Sequence, residues 1–227
     1  MCLVAALSKR NPRWKFTVSH RCLDVWRQLH PPRQAPPMPL FVMWAIVSWL
    51  VIADDAITAA CILTCFGGLL RASEALSLTR ATFIRGVNCF VAVLGRTKRG
   101  LEQKVALDNP DVVTWLDCFF QLHDAILADR IFPITYSRLN RKLKKAAAAL
   151  GFANYQFTSH SLRRGGATSL VLSNVSCKDV QLFGRWLSER SCREYLRRGE
   201  VQLMRLVKDI EPASLRKLEF LSKMGVR

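Results

Sequence analysis

Two apolar runs dominate the middle of the chain. Met38–Ala53 is apolar almost without interruption, Ala56–Leu70 follows, and Asp54-Asp55 stands between them. A segment apolar on every side is a buried helix or a membrane span. Each run has about 15–16 residues, short of the roughly 20 needed to cross a bilayer, which predicts two buried helices of a soluble core, over 39–53 and 55–66, and no membrane partner. Gly67-Gly68 ends the second helix, and a helix is expected to resume over Leu69–Leu78.

The period then changes. Residues 87–94 are β-rich and Leu101–Leu107 alternates, with the basic turn Gly95–Gly100 between them, which predicts a β-hairpin with a Lys/Arg tip. Asn109-Pro110 opens a helix running to about residue 127, Pro110 being suited to the first helical position. An Ala/Lys/Arg helix is expected over Tyr136–Leu150, capped by Gly151. Thr158-Ser159 caps a helix from His160. Further helices are expected near 176–184, 190–197, 201–208 and 212–224. The fold class is therefore mainly α (α+β): helices with one small antiparallel hairpin or sheet.

Charge alters this picture. Among 227 residues, 34 Lys and Arg face 17 Asp and Glu, a net charge of +17, which makes a polyanion the default partner, nucleic acid before an anionic membrane. The excess is uneven: residues 1–53 carry +6, residues 54–133 carry −1 and residues 134–227 carry +12. The neutral middle reads as core and the flanks as a surface for phosphate. Residues 1–37, basic and ending in Pro31-Pro32 and Pro36-Pro37, read as a linker or as the remnant of a preceding domain. The eight cysteines form no Cys-x-x-Cys pair, so zinc-finger spacing is absent. Cys61 and Cys65, one helical turn apart, suit buried free thiols. Without a cleavable signal sequence, a reducing nuclear or cytoplasmic location is expected, not secretion.

Five short stretches carry candidate chemistry. They are Leu-Leu-Arg-Ala-Ser-Glu-Ala-Leu (69–76), Gly-Arg-Thr-Lys-Arg-Gly (95–100), Ser-His-Ser-Leu-Arg-Arg-Gly-Gly (159–166), Gly-Arg-Trp (184–186) and Arg-Glu-Tyr-Leu-Arg (193–197). Each alone has an ordinary reading: Arg71 with Glu74 as an intrahelical pair, Lys98 as a solvated tip, His160 at a helix start, Trp186 as core, Tyr195 as one more half-buried aromatic. Their order and spacing, with His160 three residues before Arg163 and Trp186 nine before Tyr195, resemble the tyrosine recombinase (phage integrase) family. The resemblance covers about residues 38–200, and the Gly-Arg-Trp and Leu-Arg-Arg-Gly-Gly wording looks closest to eukaryotic mobile-element recombinases.

The resemblance implies a DNA breaking-rejoining enzyme. Tyr195 would be the nucleophile, Arg71 and Arg163 the phosphate clamp, Trp186 a further donor to the phosphate oxygens, His160 either such a donor or an aid to the departure of the Tyr proton, Lys98 the general acid, and Glu74 a group orienting an Arg or His. Strand transfer would pass through a 3′-phosphotyrosine and need neither metal nor cofactor. Double-stranded DNA would be the partner, with self-association into a synaptic tetramer. Arg96, Arg99, Arg138, Arg141, Lys142, Lys145, Arg164 and Arg185 are the expected DNA-binding residues, the helix over 136–145 foremost. Two glycines at 165–166, early in a helix, should weaken it. Residues 201–227 form an expected helical tail, packing on its own chain or on a neighbour. The 37 residues before the apolar run fall short of the helical DNA-clamping domain usual in the family, so the enzyme is expected to be incomplete. The alternative is a non-catalytic DNA-binding relic of a truncated mobile-element recombinase.

Overall fold

The computed structural model describes Arg10, residues 17–29, 35–95, 103–123 and 129–186, and the single positions 188, 189, 192, 193, 196, 201 and 204. The chain divides into two units, Met1–Gln34 and Ala35–Arg227. The first contains helix α1 (Thr17–Leu29), where the sequence reading assigned no element. Its apolar residues Val18, Cys22, Val25 and Trp26 recur at helical spacing, a pattern that the flanking prolines obscured, and Val18, Val25 and Trp26 are exposed.

The second unit is built on α2 (Leu40–Ile52) and α3 (Ala56–Gly67). Because α2 is apolar on all sides, it is buried from Val42 to Ser48 and again at Leu50. Asp54, at φ 54°, breaks the run in the left-handed region, and Asp55 starts the next helix as N-cap, accepting from the Thr58 hydroxyl at 2.7 Å. Helix α3 is buried from Thr58 to Phe66 and includes Cys61 and Cys65. The pair therefore forms two central helices, as the apolar runs predicted. Among the described residues no helix is long and apolar enough to cross a membrane.

After Gly68 the chain turns at Leu69, which has φ 46°. What resumes is only the short helix α4 (Ala72–Leu76), not a helix over the whole of 69–78. The expected hairpin is the outer part of a three-stranded antiparallel sheet, in the order β1 (Phe83–Arg85), β2 (Phe90–Leu94), β3 (Gln103–Leu107). Strand β1 was missed because three residues are too few to show alternation; Val87 and Asn88 lie in the turn before β2. The register pairs Phe90 with Leu107 and Ala92 with Val105. Phe83, Phe90, Ala92, Leu94, Val105 and Leu107 face the core. Phe83 and Phe90 stack at 5.1 Å, and both meet Phe120 of α5 (Pro110–His123).

Helix α6 (Tyr136–Ala149) buries Leu139, Leu143, Ala146 and Ala147, and Gly151 ends it at φ 88°. A 3-10 turn at Ala153–Tyr155 leads to α7 (Ser159–Leu172), with Thr158 as N-cap, and α8 (Cys177–Phe183) follows. The two glycines of α7 do not mark a weak point. A Cβ at Gly165 would lie 2.1 Å from the Met38 carbonyl oxygen, and one at Gly166 would lie 2.2 Å from that of Phe66. Their cost in helix propensity, about 1 kcal/mol each, is offset by backbone approach that no larger residue permits. Met38 N–H donates to the Ser161 carbonyl at 3.0 Å across the same contact. The helices expected over 190–197, 201–208 and 212–224 lie largely outside the described residues, as do the ends of the helix expected to reach 127 and the tip of the hairpin.

Candidate active site

The site forms where α4, the start of α7 and the turn after α8 meet. Glu74 is its centre. Its Oε2 accepts from the Arg71 backbone N–H at 2.8 Å and from Arg185 Nη2 at 2.8 Å, and its Oε1 accepts from Arg71 Nη1 at 2.5 Å. Arg163 Nη1 stands 3.9 Å from Oε2. One carboxylate thus faces three guanidinium groups. Burial pushes its pKa up, but the Arg71 backbone N–H, the Arg185 charge and the Arg71 side chain outweigh it, and the carboxyl is held below its ordinary range.

The Leu69 carbonyl is the second focus. It accepts from Arg163 Nη1 at 2.6 Å and from Arg185 Nη2 at 3.3 Å. Arg163 also donates through Nη2 to the Gly184 carbonyl, and its guanidinium lies 4.7 Å from the centre of the Trp186 ring. That stacking favours a planar cation over an aromatic face. Side-chain exposure separates the three arginines: Arg71 is 35% exposed, Arg163 6% and Arg185 7%.

Local sequence explains the arrangement. Gly184 is necessary because a Cβ there would fall 1.5 Å from the Trp186 ring. Arg185 then sits at φ 56° and Leu69 at φ 46°. A non-glycine residue in that region costs about 1–2 kcal/mol, so two such residues face each other across the cluster. His160, the second residue of α7, is exposed, one turn before Arg163. The start of α7 is tied to α6 by the Ser159 N–H, which donates to Asn140 Oδ1 at 2.9 Å.

Arg71, Glu74, Arg163 and Trp186 are therefore gathered as a group. Lys98, Arg96, Arg99 and Tyr195 lie outside the described residues. Three arginine and lysine positions expected to bind DNA are used differently here. Arg164 is 2% exposed and donates to the Ala35 carbonyl at 2.9 Å, which anchors the start of the unit and leaves it no surface for a phosphate. Arg185 is buried against Glu74. Lys142 Nζ pairs with Asp55 Oδ2 at 2.7 Å, so its charge is already matched. Arg138 reaches only the edge of that pair, at 3.9 Å. Burial raises the Asp55 pKa, but the Lys142 and Thr58 bonds prevail, leaving that carboxyl below its ordinary range.

Arg138, Arg141 and Lys145 are exposed on α6. At 100° per residue they form one stripe, away from the buried face of Leu139, Leu143 and Ala146. The convergence on the Leu69 carbonyl escaped the sequence reading; its only signal was Leu-Leu directly after Gly-Gly. The place of Arg185 was signalled only by its position between Gly184 and Trp186.

Comparison with known proteins gives a consistent outcome. The Phage integrase family pattern matches residues 45–200. Among solved structures, the XerH site-specific recombinase bound to palindromic difH substrate, in a post-cleavage complex, superposes with a TM-score of 0.62 at 16% identity, covering 78% of this chain and 54% of that one. The XerA recombinase gives a TM-score of 0.57 at 16% identity, covering 84% and 65%. The catalytic domain of bacteriophage HP1 integrase gives 0.53 at 13% identity, covering 79% and 98%. The chain spans about half the length of XerH (54%) and nearly all of the HP1 catalytic domain (98%). No curated protein matches. At these identities the structural likeness concerns the fold: a mostly helical domain with a small antiparallel sheet.

Proposed function

This chain belongs to the phage integrase family, and from that premise we propose that it is the catalytic domain of a site-specific DNA recombinase that cuts and rejoins strands through a tyrosine. The observation that carries the reading is the meeting of Arg71, Glu74, Arg163 and Trp186, drawn from three places in the sequence, in one cationic cluster. Double-stranded DNA is the substrate, and a tetramer on two duplexes is the working assembly.

In this reaction the Tyr195 oxygen attacks the backbone phosphorus. The new O–P bond is the 3′-phosphotyrosine, the bond to the 5′-oxygen breaks, and the tyrosine proton leaves with the help of His160. Lys98 supplies a proton to the 5′-oxygen. The reverse steps rejoin a strand, and because the covalent link conserves the bond, no nucleotide triphosphate is consumed. Negative charge grows on the non-bridging oxygens. Arg71, the most exposed guanidinium of the cluster, meets it first, and Arg163 completes the clamp by trading a carbonyl partner for phosphate. Donors of this kind are worth about 3–4 kcal/mol of barrier each. Arg138, Arg141 and Lys145 grip the flanking backbone, with steep salt dependence.

The test is a pool of nicked duplexes of randomised sequence, in which loss of a short 5′ fragment traps the intermediate. The protein should give a DNA adduct that survives SDS, and Tyr195→Phe should abolish it while DNA binding persists. An adduct in the Phe variant would remove Tyr195 as nucleophile. Binding without any adduct would leave a DNA-binding relic.

A further inference from the structure

Arg185 occupies a backbone conformation that glycine would adopt without cost, yet carries one of the largest side chains. That side chain is buried and ends on two acceptors, Glu74 Oε2 at 2.8 Å and the Leu69 carbonyl at 3.3 Å. The same two oxygens hold the neighbouring arginines: Glu74 bonds Arg71, and Leu69 bonds Arg163. Arg185 is 7% exposed, and its guanidinium is turned onto the Glu74 carboxylate. We propose that Arg185 is a positioning residue, a lock that fixes the Glu74 carboxylate and the Leu69 carbonyl so that Arg71 and Arg163 are held ready for one phosphate. The inference rests on reading this cluster as a strand-cleaving centre.

The geometry says what the lock prevents. Arg163 Nη1 is 3.9 Å from Glu74 Oε2 but 2.6 Å from Leu69. With Arg185 removed, that carboxylate oxygen loses the Arg185 cation at 2.8 Å, and Arg163 Nη1 stands 3.9 Å from it. Its guanidinium then moves toward Glu74, off the Leu69 carbonyl and away from the Trp186 face. A clamp arginine bound to a carboxylate is a poorer ligand for phosphate, since carboxylate competes for the same donors. The gain in positioning accounts for a residue that strains its backbone at a site of function.

The experiment compares Arg185→Gly and Arg185→Lys with the parent chain. Glycine accepts the left-handed backbone, so Arg185→Gly removes the side chain without adding strain, and a thermal melt verifies folding. Two readouts follow. The first is the titration of the Glu74 carboxyl in the DNA-free protein, followed by carbon NMR. It should move upward in pH in Arg185→Gly, because the Arg185 charge helps hold it low and Arg163, drawn in from 3.9 Å at the expense of its carbonyl bonds, restores only part of that, and return part of the way in Arg185→Lys. The second is the adduct rate on the randomised nicked pool. It should fall roughly 10–100-fold, the usual range for loss of a group that orients a site ligand, with duplex binding retained and the acid limb of the rate profile moved up. A merely structural role would leave that limb in place. An unmoved Glu74 titration, or an adduct rate equal to the parent's, overturns the proposal. If the parent forms no adduct, the strand-cleaving reading fails, and the Glu74 titration alone still decides whether Arg185 sets that carboxylate.

Discussion

Two groups of basic residues in this protein use the same side chains in opposite ways. Around Glu74, Arg163 and Arg185 are buried and matched to a carboxylate and to backbone carbonyls, and Arg163 lies over the face of Trp186. Along α6, Arg138, Arg141 and Lys145 stand in solvent on one stripe. A buried cation must be matched or it destabilises the fold by several kcal/mol, whereas an exposed one is nearly free to keep or lose. In the proposed function the first group sets geometry and the second supplies attraction to DNA. A net charge of +17 counts both alike.

That contrast can be broken by experiment. The largest effect is expected from Glu74→Ala, which leaves Arg163 and Arg185 facing each other without a counter-charge; removal of one partner from a buried pair costs about 3–5 kcal/mol. Denaturant unfolding measures it, and a loss below about 1 kcal/mol would mean the cluster is solvated like the stripe. Acid should act in the same direction. Glu74 and Asp55 titrate below their ordinary values of 4.5 and 3.8 in the folded chain. The unfolded chain therefore takes up these protons first. Their contribution is fully present above those ordinary values and is lost as pH falls through the lower folded ones. Melting followed from pH 6 downward should show this loss, and Glu74→Gln should flatten part of it.

Lys142→Ala is the intermediate case. It removes the nearest partner of a buried carboxylate, leaving Arg138 at 3.9 Å, and a cost of about 1.5–3 kcal/mol is expected, as for loss of a charged hydrogen bond. The smallest change in stability, within about 0.5 kcal/mol, belongs to the double variant Arg141→Gln with Lys145→Gln. Its signature is in binding instead. The slope of log affinity against log salt should become shallower by about one unit for each phosphate contact removed. Unchanged DNA affinity in that variant would deny the stripe its role.

The parts of the fold that could be read in advance are those where local pattern and tertiary fate agree. Met38–Ala53 is apolar almost throughout, and its helix is buried from Val42 to Ser48 and at Leu50. Arg71 and Glu74, three residues apart, do pair. What could not be read depends on contacts between distant segments. Nothing local distinguishes Arg163, Arg164 and Arg185 from Arg141, because burial is decided by what packs over each residue. Gly165 and Gly166 looked like weak helix formers for the same reason: Met38 and Phe66, which approach them, are about a hundred residues earlier in the chain. Of the six expected catalytic residues, four lie among the described residues and two, Lys98 and Tyr195, do not.

The seam at those two glycines has a consequence for how the protein is made. Arg164 reaches back 129 positions to Ala35, and Gly165 closes on Met38 beside it. During synthesis α2 and α3 leave the ribosome long before α7 exists, and their apolar faces wait uncovered through some hundred residues of translation. Contacts of such long separation form slowly and expose hydrophobic surface meanwhile. The nascent chain therefore carries uncovered apolar surface until α7 arrives. Because the same seam carries Arg163 to Leu69, the arginine cluster cannot assemble before α7 has been made.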